Sequence, residues 1–336
     1  MLDKERIHEA HEPRWSTSHL WLTTLGVYFV LQAALVWLVA TSSPWWITAF
    51  LVVVVAHLMH THVLALHEAA HGSLCPVPFI NDLMGVFIAV QGLMSFSLYR
   101  AVHHSHHAYL STERDEELWP FVDPSSSLWA RRLAAVFELS LGLFFTPFLF
   151  LRAFVRPGSV VRKPEVRRRI WGEFALMGVV WAATLAAVQY FGVWEYYLTA
   201  FLAPAILAGN FQSVRKYIEH MGMTGATVLG NTRSIIPSTI LGRMFAFSVF
   251  NIHYHGVHHK FAQMHAAAMP EFAETLQPER EDEPAPFPSY WHALRHMLAG
   301  LPDPRVGAQW NRAEETSIRT LRFPHQPAAS ARSHSA

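Results

Sequence analysis

The sequence predicts an all-α fold: an integral membrane helical bundle with about four spans and a polar cap on one face. Three observations carry this. Hydrophobic residues make up 51% of the 336 and charged residues only 15%, where a soluble domain carries about 25% charged. Several apolar stretches approach the roughly 20 residues that a spanning helix needs. Three histidine clusters lie beside these stretches: His67-Glu-Ala-Ala-His71, His103-His-Ser-His106-His107 and His255-Gly-Val-His258-His259.

Residues 1–19 are polar and mixed in charge. The first apolar run, 20–41, is too long for the core of a cleaved leader and reads as a permanent span. Thr41-Ser-Ser-Pro44 turns the chain into a second span, 45–66. Two later spans, 170–191 and 193–213, meet near Gly192. Each pair reads as a helical hairpin. Two further apolar segments, 83–99 and 133–155, contain polar or helix-breaking residues, namely Gln91 in the first and Glu138 and Pro147 in the second. Residues 1–311 read as one domain, and the Ala/Ser-rich end, 312–336, as a disordered tail.

Orientation follows from Arg152, Arg156, Arg162, Lys163, Arg167, Arg168 and Arg169. The positive-inside rule puts this stretch in the cytoplasm. If the three clusters build one site, they share a face of the membrane. The segments 83–99 and 133–155 then do not each cross; they lie in the interface or dip in and return. All clusters become cytoplasmic. The competing reading has six spans and a divided histidine set.

A net charge of +1 gives no field for nucleic acid, and the single cysteine, Cys75, excludes a disulfide framework or a fused iron–sulfur domain. Any electron donor is a separate protein. On a helix advancing about 100° per residue, His67 and His71 share a face. So do His103, His106 and His107, and His255, His258 and His259, whereas His104 and His253 fall off their stripes. Eight imidazoles exceed the three or four protein ligands of a single zinc site, so two ions fit better. The first cluster also matches the zinc-protease pattern, with Glu68 as general base. That reading leaves both H-x-x-H-H clusters unexplained. A metal transporter would hold its ligands near the bilayer midplane rather than at helix ends.

These residues resemble the membrane fatty acid desaturase superfamily, which includes related alkane and carotenoid hydroxylases. His67-Glu-Ala-Ala-His71-Gly-Ser-Leu looks like its first histidine box. His103-His-Ser-His-His-Ala with Thr112-Glu-Arg-Asp115 looks like its second, and Asn251-Ile-His-Tyr-His-Gly-Val-His-His259 like its third. The three residues between His67 and His71, where many acyl desaturases have four, leave the subclass open. The resemblance implies a four-span bundle and a non-haem centre of two iron ions that uses O2. It implies His67, His71, His103, His106, His107, His255, His258 and His259 as ligands. His220, in Arg215-Lys-Tyr-Ile-Glu-His220, resembles the further histidine found after the last span. Glu68, Asp115, Glu219 and Asn251 are candidates to orient the rings. The implied reaction is desaturation of an acyl chain of a fatty acid or lipid, with electrons from ferredoxin or rubredoxin and its reductase. Hydroxylation of an alkane or carotenoid, or formation of a terminal alkene, is the alternative on the same scaffold. Compact length and the lack of an organelle-type leader suggest a bacterial inner membrane.

Overall fold

In a computed structural model, which describes residues 4–12 and 15–311, the chain is helical almost throughout. Among the described residues the only β-type pairing is an isolated bridge between Ile235 and Phe287. The predicted tail, 312–336, lies outside the described residues.

Helix α1 (Lys4–His11) precedes α2 (Trp15–Ala40) and α3 (Trp45–His71). The predicted turn joins α2 to α3, with Ser42 at φ 49°. At about 1.5 Å per residue α3 is roughly 40 Å long. It stops at Gly72, whose φ of 77° suits a residue without a Cβ, and whose amide bonds back to Ala69 and Glu68. Next come α4 (Pro78–Gln91) and α5 (Phe96–Ala108), bent by 100° to one another. A bend of this size is that of a broken span or of a re-entrant loop, the latter being the form expected for 83–99. The α5 N-terminus is held by Glu173, whose carboxylate accepts from Ser95 Oγ (2.6 Å), Ser97 N (2.9 Å) and Ser97 Oγ (2.6 Å). A carboxylate there also complements the positive end of the helix dipole.

Helix α6 (Leu128–Val155) follows, then α7 (Pro164–Phe191), ending at Gly192 with φ 64°. A short α8 (Trp194–Tyr196), a π-helical turn at Tyr197–Leu202 and α9 (Ala203–His220) then run on without a break. The chain closes with α10 (Ile240–Ser248), α11 (His255–Lys260) and α12 (Tyr290–Gly300).

Among the described residues four helices are long and apolar enough to cross a membrane: the one ending at Ala40, then α3, α6 and α7. This set differs from the predicted spans in two places: 193–213 does not qualify, and α6, which covers the segment 133–155 expected not to cross, does. The segment 193–213 is divided by the π-helical turn, and α9 continues into the charged stretch Arg215-Lys-Tyr-Ile-Glu. Helix α6 qualifies by length and composition, and both its ends are ion-paired to residues of other segments. At its start Arg131 bonds Asp303 (2.6 Å); at its end Arg152 and Arg156 bond Glu116 (3.0 and 2.7 Å). It is kinked at Leu141 (φ −134°, ψ 38°). The amide of Gly142 instead reaches Asn210 Oδ1 on α9 (3.2 Å). Backbone meets backbone there: a Cβ on Gly209 would sit 2.3 Å from Leu143 N, and one on Gly142 2.3 Å from Gly209 O.

Phe29, Val30, Trp37 and Val179 are more than half exposed, as side chains facing lipid would be. Trp45, Trp46, Tyr190 and Phe191 are the most exposed aromatics at the ends of α3 and α7 remote from the histidines, the position of an interfacial aromatic belt.

Candidate metal centre

Three long helices end at one place. His67 and His71 occupy the last turns of α3, His103, His106 and His107 those of α5, and His220 is the final residue of α9. Helix C-termini carry partial negative charge, so three of them converging favour cations. The short α11 adds His255, His258 and His259.

The nine rings fall into two groups. His67 Nε2 lies 2.9 Å from His258 Nε2, which lies 3.0 Å from His107 Nε2. His107 Nε2 is 3.2 Å from His103 Nε2, itself 3.0 Å from His71 Nε2. These five form the first group. In the second, His255 Nε2 is 2.9 Å from His220 Nε2 and 3.1 Å from His259 Nε2. The His106 ring stands 5.0 Å from that of His220 and 4.9 Å from that of His259. His107 and His259 stack at 4.3 Å where the groups meet. Box two thus serves both groups, and so does box three.

His103 Nδ1 faces Glu117 Oε2 at 2.9 Å. A carboxylate only accepts, so the ring proton sits on Nδ1 and Nε2 is a bare lone pair. That lone pair points at the Nε2 atoms of both His71 and His107. Nitrogens each about 2.1 Å from one ion and at right angles to one another lie about 3.0 Å apart. The described residues could therefore hold metal: His67, His71, His103 and His258 lie close enough together to share one ion, and His106, His220 and His259 another, with His107 and His255 at the edges of these sets.

Other groups set the rings. Asp115 Oδ2 takes His106 Nδ1 at 2.8 Å and also accepts from Ser111 N at 2.9 Å. His220 Nδ1 faces the carbonyl of Asn231 at 3.1 Å. Glu219 Oε1 lies 3.5 Å from His255 Nδ1, too long for a good hydrogen bond, and is gripped by Arg215. Burial alone would raise the Glu117 carboxyl; His103 and His106 outweigh it and hold it well below the usual carboxylate range. His255, His258 and His259 are pushed well down, first by burial and then by neighbouring imidazoles. All three stay neutral, as metal binding requires.

The predicted orienting groups divide. Asp115 contacts a ring directly and Glu219 approaches one. Glu68 bonds Ser73 Oγ (2.7 Å) and Asn251 bonds the Ala266 carbonyl (3.1 Å); neither meets a ring of the nine. A carboxylate so held does not suit the general base of a zinc protease. Off-stripe His104 bonds the Ala70 carbonyl (2.9 Å), and His253 is buried with neither ring nitrogen bonded. Glu117 was missed, although it stands two residues after Asp115 in an acidic run that could have flagged it.

A mainly apolar cavity lies between α3, α4, α6 and α9. Met59, Leu66, Ile88, Met94, Ala208 and Tyr99 are among its lining. Tyr99 stacks on the His103 ring at 5.4 Å and 6°. One lining residue, Tyr99, thus also touches a ring of the first group.

Residues 43–291, well over half of the chain, match the model of the family described as fatty acid desaturase. No curated protein matches the chain. Match, helical membrane architecture and clustered histidines agree: the chain belongs to the fatty acid desaturase family.

Proposed function

We propose that this protein is an O2-dependent oxidoreductase that introduces a double bond into an acyl chain, with His67, His71, His103, His107 and His258 holding one iron ion and His106, His220, His255 and His259 the other. The observation that carries this reading is the run of Nε2–Nε2 separations of about 3 Å that links His67, His258, His107, His103 and His71 on one side and His220, His255 and His259 on the other, with the His106 ring packed against His220 and His259. An all-imidazole donor set suits iron, among other transition metals. Family membership supports the oxidative chemistry.

When bound, the metal pair supplies the oxidising power for C–H cleavage by activating O2. The balance is one CH2–CH2 unit, one O2, two electrons and two protons giving one CH=CH unit and two waters. The chain's own residues do the positioning. Glu117 and Asp115 fix the tautomers of His103 and His106, so that the Nε2 lone pairs face inward. The apolar cavity excludes water and holds an alkyl chain against Tyr99. No acid–base side chain is needed beyond this.

For the topology, α2, α3, α7 and the run from α8 through α9 cross the membrane, while α4–α5 and α6 return to the side they left. The tethering of both α6 ends to the cap supports this. The basic residues between α6 and α7 favour a cytoplasmic histidine face. Residues 1–311 then act as a single domain.

Mass spectrometry of lipids from cells with and without the gene tests the reaction. Loss of two hydrogens from an acyl chain is expected; gain of one oxygen would make the enzyme a hydroxylase instead.

A further inference from the structure

His104 is the one histidine of the second cluster that stays outside both groups, and it is exposed. Its Nε2 is engaged by the Ala70 carbonyl at 2.9 Å, which makes that nitrogen the protonated one. One turn earlier Arg100 donates to the Ala69 carbonyl at 3.1 Å. His104 thus bonds a terminal carbonyl of α3, and Arg100 adds a further donor to the Ala69 carbonyl, which also accepts from Gly72 N and Asn81 Nδ2. This anchoring lays the His104 ring beside His71, centroids 5.8 Å apart and planes within 33°. His71 is half-buried, and its Nε2 belongs to the first group of five. An exposed aromatic ring thus touches a ring of the centre.

The surroundings are basic. Arg100 and Arg169 share the carboxylate of Asp82 (2.5 and 3.0 Å), which joins α5 to the start of α7. Residues 162–169 hold five basic side chains, Arg162, Lys163, Arg167, Arg168 and Arg169, against one acid, Glu165. Arg162, Lys163 and Arg168 are exposed. The chain has no iron–sulfur or other thiolate-bound redox group of its own, since its one cysteine, Cys75, is buried.

We propose that the exposed side of α5 around His104, together with the basic segment 162–169, docks an acidic one-electron carrier protein, and that its electrons enter the centre through His104 and His71. The proposal rests on the oxidative reading above. Each docking oxidises one carrier by one electron, so two dockings supply the two electrons consumed per O2. Charge complementarity of this kind acts on encounter rate more than on the chemical step. It is screened by salt.

The test uses the iron-loaded full chain in detergent, with a reduced plant-type [2Fe–2S] ferredoxin as the probe and the methyl viologen radical as a small cationic control. The triple variant R162E/K163E/R168E should lower the second-order rate of ferredoxin oxidation at low salt by about tenfold or more, converge with the parent at high salt, and leave the viologen rate and bound iron unchanged. His104→Gln keeps an N–H donor for Ala70 but loses the ring. It should lower the rate at saturating ferredoxin severalfold, with bound iron unchanged. Parent-like ferredoxin kinetics in both variants would overturn the proposal. So would a triple variant that loses affinity for vesicles rich in phosphatidylglycerol while its ferredoxin kinetics stay unchanged, since the face would then serve lipid. A parent protein that binds two iron ions yet never oxidises either reductant in the presence of O2 would sink the oxidative reading, and this docking with it.

Discussion

Glu117 Oε2 stands 2.9 Å from His103 Nδ1. Two residues earlier Asp115 Oδ2 stands 2.8 Å from His106 Nδ1, and between them Glu116 pairs with Arg152 and Arg156 of α6. Three consecutive acids thus fasten one ring of each group and the end of α6 to a single loop. Removing an outer carboxylate partner typically costs 10–100-fold in metal affinity. Glu117→Gln should weaken the first ion by about that factor and spare the second. Chelator titration followed by elemental analysis reads this directly; equal loss of both ions would contradict the grouping.

The groups of five and four predict a stoichiometry. Purified protein reconstituted with Fe(II) should hold about two ions per chain, and His258→Ala and His106→Ala should each lose turnover and retain close to one. Full iron and full activity in either variant would refute the assignment.

Metal removal should also destabilise the fold. The imidazoles come from four separate helices, so ions that bind only the folded state add about 2.7 kcal/mol at a hundredfold excess over the dissociation constant. Chelation should lower the thermal unfolding midpoint, and Fe(II) should restore it. A midpoint that does not move would mean the nine rings hold nothing tightly.

The crossing of α6 and α9 tolerates no side chain. Gly209→Ala would place its Cβ 2.3 Å from Leu143 N. Overpacking of this kind costs about 1–3 kcal/mol or more. A lower unfolding midpoint, with iron still bound at low temperature, is the expected result. Gly26→Ala, where an added Cβ meets nothing within 4 Å, is the matched control.

The cavity predicts a change in substrate length. Ala208 is buried on its wall. Ala208→Phe fills part of the channel and should shift products towards shorter acyl chains without changing bound iron. Product profiles by gas chromatography test this; an unchanged chain-length distribution would place the substrate elsewhere.

Much of this protein is legible in its sequence because the relevant patterns are local. Apolar length marks α2, α3 and α7, and the turn after Thr41 and the stop at Gly192 are set by residues within a few positions. Helical spacing puts His103, His106 and His107 on one stripe, and that geometry needs no partner. The sequence alone therefore determines an all-helical membrane protein with three coherent imidazole faces. It does not determine how those faces divide. His107 meets His258 of α11, while His106 meets both His220 of α9 and His259 of α11, a matter of packing across distant segments. Glu68 looked like a partner by proximity along the chain, yet Ser73 holds it; Glu117 looked remote, yet the loop after α5 folds back onto His103. Beside the kink at Leu141 the Gly142 amide meets Asn210, 68 residues away, and apolar length alone does not reveal the ion pairs at both ends of α6. Periodicity decides which side chains share a face, whereas only the tertiary fold decides which faces meet.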